Sequence, residues 1–108
     1  MPQLIIKGMN IETIKQLSKP LVDELTQIIG CPREYFTIEA VQSVFIQDGQ
    51  EQPITPFVQV NWFDRGQAVQ DQVAQAICRQ AQRAGSPQVE TFFVVLEESR
   101  YYENDRHY

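Results

Sequence analysis

The residue with the most unusual chemistry to offer is Pro2 in the opening Met1-Pro2-Gln3-Leu4-Ile5-Ile6-Lys7-Gly8. If Met1 is removed, Pro2 becomes a free secondary amine at the head of an apolar strand. An N-terminal amine titrates near ~8 in water, and burial lowers that value by disfavouring the charged form. The result is a neutral base at working pH, which is what proton abstraction next to a carbonyl needs. If Met1 stays, the same nitrogen is a tertiary amide with no basicity and no N–H. Aminopeptidases normally remove methionine before a residue as small as proline. Two arginines complement such a base, Arg33 and Arg65. A guanidinium grips a carboxylate through two parallel hydrogen bonds, so either could orient a 2-oxo acid and stabilise its enolate.

The elements that must position these groups follow from hydrophobic periodicity. Leu4 to Ile6 is a short strand closed by Gly8. Asn10 is a good helix N-cap. Ile11, Ile14, Leu17, Leu21, Leu25 and Ile28 then keep one stripe in phase up to Gly30. Pro20 interrupts the stripe without changing its phase, so one bent helix is expected. Gly30 ends it and Pro32 prevents continuation. Tyr35 to Gln47 reads as a long strand, Asp48-Gly49 as a turn and Gln50 to Pro56 as a loop. Phe57 to Phe63 is a third strand. Gly66 leads into a second helix carrying Ala68, Val69, Val73, Ala76, Ile77, Ala81 and Ala84, ended by Gly85 and Pro87. Val89 to Leu96 is a fourth strand, apolar at both parities from Phe92 onward and therefore expected to be covered on both faces. The tail from Glu97 to Tyr108 is polar, with three tyrosines.

The order strand, helix, Gly-x-Pro, strand thus occurs twice. Gly30-Cys31-Pro32 and Gly85-Ser86-Pro87 lie 55 residues apart, and the same shift sets Pro2 on Phe57 and Asn10 on Arg65. Two βαβ units, residues 2–47 and 57–102, have parallel strands and right-handed crossovers. Joined about a pseudo-twofold they make one α+β domain over residues 1–108: a two-layer, four-stranded mixed sheet with both helices on one face. Its other face carries Ile5, Val41 and Phe45 among Gln59 and Asn61, a mixed surface suited to burial against other subunits.

In this topology the start of the second strand lies beside the start of the first, bringing Arg33 and Tyr35 towards Pro2. An antiparallel third strand brings its end there too, with Trp62, Asp64 and Arg65. Tyr35 and Trp62 are the candidate substrate contacts, and Arg100 and Tyr101 are placed to reach a neighbouring subunit and its site.

Composition excludes several other classes. The chain has 108 residues, 43% hydrophobic and 21% charged, with net charge −5. An acidic balance opposes binding through nucleic-acid phosphates or to an anionic membrane surface. Apolar runs reach only about five residues, far below the ~20 that span a bilayer. Lone His107 and the distant Cys31 and Cys78 do not make a metal site, and the thiols are read as free in a reducing cytoplasm. There is no Gly-rich phosphate loop and no Ser-His-Asp set. No cofactor or metal is expected.

The initial Met-Pro, the two βαβ halves and the Gly30-x-Pro32-x-x-Tyr35 segment together resemble the tautomerase superfamily, which includes macrophage migration inhibitory factor and 4-oxalocrotonate tautomerase; the opening Met-Pro-Gln-Leu and the length look most like an uncharacterised bacterial branch. The resemblance implies a homotrimer and a catalytic terminal proline, which would be Pro2. Where migration inhibitory factor carries a lysine after the glycine, this chain has Cys31, and Arg33 stands two residues on. The leading expectation is a cofactor-free keto–enol tautomerase of the cytoplasm acting on a small carboxylate. The alternatives are an oligomeric binding or regulatory module that retains Met1, and a monomeric ferredoxin-like module bound to another protein.

Overall fold

A computed structural model describes residues 2–53 and 55–108. The methionine ahead of Pro2 and Ile54 of the expected loop lie outside the described residues. Strand β1 (Gln3–Lys7) buries Leu4 and Ile6 on one face and turns Gln3, Ile5 and Lys7 to the other, the period of two that a strand imposes. Helix α1 (Ile11–Ile29) begins at Asn10, whose Oδ1 accepts the Thr13 N–H at 2.8 Å. It runs unbroken through Pro20, as the stripe implied. It stops at Gly30, whose N–H still bonds the Thr26 carbonyl at 2.9 Å and whose φ of 78°, suited to a residue without a Cβ, turns the chain out of the helix.

A 3-10 turn, Arg33–Tyr35, leads into β2 (Thr37–Val41), which pairs parallel with β1 from Gln3↔Thr37 to Lys7↔Val41. The long strand expected over Tyr35 to Gln47 therefore breaks. Beyond Lys7 there is no β1 left to pair with, so the chain leaves the sheet after Val41. Its continuation, β3 (Phe45–Gln47), finds a new partner in β4 (Gln50–Gln52), within the segment read as a loop. The Asp48-Gly49 turn between them is as expected, with both residues at positive φ.

Strand β5 (Phe57–Phe63) runs antiparallel to β1, and α2 (Gln67–Arg83) crosses back to β6 (Glu90–Leu96), parallel to β5. The sheet order is β2-β1-β5-β6. The tail is more structured than its polarity suggested. After a 3-10 turn, Glu98–Arg100, a small hairpin forms from β7 (Tyr102–Glu103) and β8 (Arg106–His107).

The core is one cluster between the helices and one sheet face. It joins Leu4, Ile6, Val58, Val60 and Trp62 to Ile14, Leu17, Leu21 and Leu25 of α1 and to Val73, Ala76, Ile77 and Ala81 of α2. A polar clasp ties the helices together. Glu24 Oε1 accepts from Arg79 Nη2 at 2.7 Å and Oε2 from Gln80 Nε2 at 2.6 Å, with Gln80 buried. These bonds, that of Gln80 first and Arg79 second, hold the Glu24 carboxyl below its ordinary value.

The two halves match as expected, but not at one constant shift. The Pro2 carbonyl accepts from Thr37 N–H at 3.2 Å and the Pro56 carbonyl from Glu90 N–H at 2.9 Å. The structural counterpart of Pro2 is thus Pro56, not Phe57. Asn10 and Gly66 are the paired N-caps, not Asn10 and Arg65. Connections of unequal length absorb the drift.

Candidate functional site

The head of β1 and the end of β5 meet at one pole of the sheet. Pro2 is almost fully buried, and its carbonyl is locked into the β1–β2 ladder. Gln3 pairs with Asn61, so one step earlier Pro2 stands across from Trp62. The Trp62 side chain is wholly buried and packs on Phe93, ring centroids 5.0 Å apart. Its indole Nε1 is the one buried side-chain polar atom without a partner among the described residues.

The arginines turn elsewhere. Arg33 donates to Asp23 Oδ1 and, at 3.3 Å, to the Lys19 carbonyl on the outer side of α1. It is the main reason that the Asp23 carboxyl sits below its usual range, with Lys19 next. Arg65 Nη1 lies 3.5 Å from the Ile29 carbonyl, at the C-terminal end of α1, where a cation meets the negative end of the helix dipole. Arg100 Nε pairs with Glu97 at 3.0 Å on an exposed side chain.

Tyrosines converge on the pole instead. Tyr101 stacks edge-on against Phe63, centroids 5.6 Å apart, and against Tyr108, 5.0 Å apart. Tyr35, exposed in the turn before β2, is near enough to Tyr108 to affect its titration. The Tyr108 phenol is pushed above its ordinary value, first by lost hydration and then by the hydrogen bond it donates to Glu103. Tyr101 and Arg100 line a cavity of about 250 Å³ with Val95, Leu96 and Glu97.

Sequence reasoning drew Tyr35, Trp62, Arg33 and Arg65 towards Pro2 and did not foresee which way the arginines would turn; it sent Tyr101 to a neighbouring subunit, whereas Tyr101 meets Gln3 and Phe63 of its own chain. It also missed Gln3, whose Nε2 donates to the Tyr101 hydroxyl at 3.0 Å. The alternation of β1 does carry that signal, because Gln3 shares the parity of Ile5 on the open face. A second cavity, about 540 Å³, opens on the same face at the opposite end of β1. It is lined by apolar groups including Phe45, Phe57 and Phe92, with Lys7 at its rim. Among the described residues no group of His, Cys, Asp and Glu could hold a metal, and no helix is long and apolar enough to cross a membrane. Cys31 and Cys78 are free thiols.

The family model described as a domain of unknown function, DUF1904, matches residues 1–107. The chain belongs to the DUF1904 family. A DUF1904 crystal structure from Sebaldella termitidis is 32% identical, with TM-score 0.93 and full coverage of both chains. A protein of unknown function from Vibrio cholerae is 29% identical, with TM-score 0.87, covering 99% of this chain and 87% of that one. The macrophage migration inhibitory factor-like protein of Entamoeba histolytica is 16% identical, with TM-score 0.73, covering 99% and 98%. At that identity the likeness is one of fold, and it gives this DUF1904 chain the tautomerase-like architecture. No curated protein matches.

The DUF1904 pole thus brings together the buried Pro2, the phenols of Tyr101 and Tyr108 and the Arg100 guanidinium beside Tyr101.

Proposed function

We propose that this chain is a cofactor-independent keto–enol tautomerase of the cytoplasm, working on a small 2-oxo acid. Pro2, freed of Met1, is its general base. The observation that carries this reading is the burial of Pro2 at the head of a central strand, in a fold shared with tautomerase-like proteins. Burial keeps the amine neutral, and the buried position shields the departing proton from bulk water. Tyr35 supplies a wall, and Trp62, wholly buried in the core, backs the pole without facing substrate. Arg100 and Tyr101, side by side on one cavity, are the favoured contacts for the acid. Arg65 and Arg33 remain in the proposal as carboxylate holders that must first release the Ile29 carbonyl or Asp23. The protein works as a homotrimer, its open sheet face covered by neighbouring copies. The exposed Phe92 and Val94 on that face support this, as isolated chains rarely leave such groups in water.

The test is solvent proton exchange of phenylpyruvate by protein with and without Met1, the N-terminus verified by intact mass. Exchange that requires loss of Met1 supports the reading; equal rates for the two forms sink it. A second reading is a non-catalytic oligomeric binding or regulatory module that keeps Met1. It is favoured by the absence of Pro2 from the lining of the two cavities described above. A native mass that includes Met1 would select it.

A further inference from the structure

The polar side chains on the open face of the sheet form one directed chain. Gln59 Nε2 donates to Asn61 Oδ1 at 2.8 Å, Asn61 Nδ2 to Gln3 Oε1 at 3.3 Å, and Gln3 Nε2 to the Tyr101 oxygen at 3.0 Å. β-Sheet geometry builds it. Gln59 and Asn61 are two apart on β5 and so share a face, and Asn61 lies opposite Gln3 in the β1–β5 register. Each amide that accepts on its oxygen must present its NH₂ to the next member. The amides thus share one direction, which ends in the hydrogen bond that Tyr101 receives. A phenol has one proton. Because the Tyr101 oxygen receives a hydrogen bond from Gln3, that proton is left to be given elsewhere, and among the described residues no group accepts it. Phe63 and Tyr108 pin the ring, one edge of Tyr101 borders the cavity it shares with Arg100, and Gln3 directly follows Pro2.

We propose that Tyr101 is the hydrogen-bond donor to the substrate's carbonyl oxygen, and that Gln3, Asn61 and Gln59 are positioning residues that fix the direction of its donation. This rests on the reading of Pro2 as the base. As the Pro2 nitrogen takes the proton from the carbon beside the carbonyl, the C–H electron pair becomes the new C=C bond. The carbonyl π pair moves onto oxygen. The Tyr101 O–H bond to that oxygen strengthens while the phenol keeps its proton. The protonated Pro2 then returns the proton to carbon or oxygen, so no electrons are gained or lost. Arg100, on the same cavity, exchanges its ion pair with Glu97 for the neighbouring carboxylate of the substrate.

The chain can be reversed without touching Tyr101. Asn61→Asp is isosteric, but its carboxylate only accepts. Gln3 must then turn its NH₂ back towards position 61 and its oxygen towards Tyr101, and the phenol spends its proton on Gln3. In Met1-free protein with phenylpyruvate, Tyr101→Phe is expected to lower kcat by ~10²-fold, the effect of removing one oxyanion donor, with KM raised by up to ~10-fold, the worth of one ground-state hydrogen bond. Asn61→Asp is expected to lower kcat comparably. The double variant should be no slower than Tyr101→Phe alone, because both act on one proton. Effects that multiply would mean that the new charge, not the phenol, does the damage, and would overturn the proposal, as would a Tyr101→Phe enzyme of full activity. If the parent protein binds phenylpyruvate in an NMR titration without exchanging its proton, the Pro2 reading fails by itself. The present one then stands only if both single variants weaken that binding by ~10-fold, the worth of one hydrogen bond. No binding at all overturns both.

Discussion

Pro2 and Pro56 hold the same place in the two βαβ halves. Each is buried, each precedes a sheet strand, and each carbonyl accepts the N–H that opens the partner strand, Thr37 in one half and Glu90 in the other. Pro56 is an amide on both sides and has no lone pair to offer a proton. The fold thus supplies burial and alignment twice, and on the proposed function only Pro2, freed of Met1, has a basic nitrogen to use them. The halves differ again at their helices. α1 is capped by the Asn10 side chain, whereas α2 starts at Gly66 with no side-chain cap.

The largest test of this comparison is to substitute each proline in turn. In Met1-free protein, Pro2→Ala should cut phenylpyruvate exchange by ~10²- to 10⁴-fold, the usual worth of a positioned general base. Pro56→Ala should stay within about 2-fold on the same general-base argument. Comparable losses at both positions would show that the prolines matter only as strand-head residues. Next comes the clasp that joins the halves. Glu24→Leu leaves the buried Gln80 amide without a partner, at a cost of about 1–3 kcal/mol in urea unfolding.

The same clasp sets a pH dependence. The Glu24 carboxyl lies below its ordinary 4.5 in the folded state. Its contribution is therefore complete above about 4.5 and is lost as pH falls through the lower folded-state value. Glu24→Gln should flatten that part of the pH–stability curve, and a curve of unchanged slope would remove Glu24 from the account.

The smallest effects concern the caps. Asn10→Ala should cost about 1 kcal/mol, the worth of one side-chain cap. Gly66→Ala meets no atom within 4 Å of the added Cβ, yet it should cost about 1–2 kcal/mol because its φ of 88° disfavours any L side chain. A stabilising Gly66→Ala would show that the backbone at the start of α2 tolerates a Cβ despite its φ.

How much was legible in the sequence follows from the range over which each feature is determined. Both helices and β5 are set by local periodicity and by Asn10, Gly30 and Gly66, and these were read close to their ends. The break after Val41 was not legible. Val44 and Ile46 continue the strand pattern, but the length of β1, distant in sequence and adjacent in the sheet, decides where pairing must stop, since its last residue Lys7 pairs with Val41. Trp62 was placed beside Pro2 because strand order follows from the repeat. Arg33 and Arg65 were drawn to the same place by topology, whereas their side chains follow the nearer attraction of Asp23 and of the Ile29 carbonyl. Long flexible cations go where local charge sends them, and backbone topology alone does not reveal that.

The burial of Pro2 has a consequence for maturation. A peptidase that trims the leading methionine needs a loose, extended end to grip, and β1 ceases to be one once β5 lies against it. β5 is translated some fifty residues after Pro2, which at ordinary synthesis rates is a delay of roughly 3–10 seconds. On the proposed function, the enzyme's competence is decided in that interval, while the nascent chain is still tethered to the ribosome.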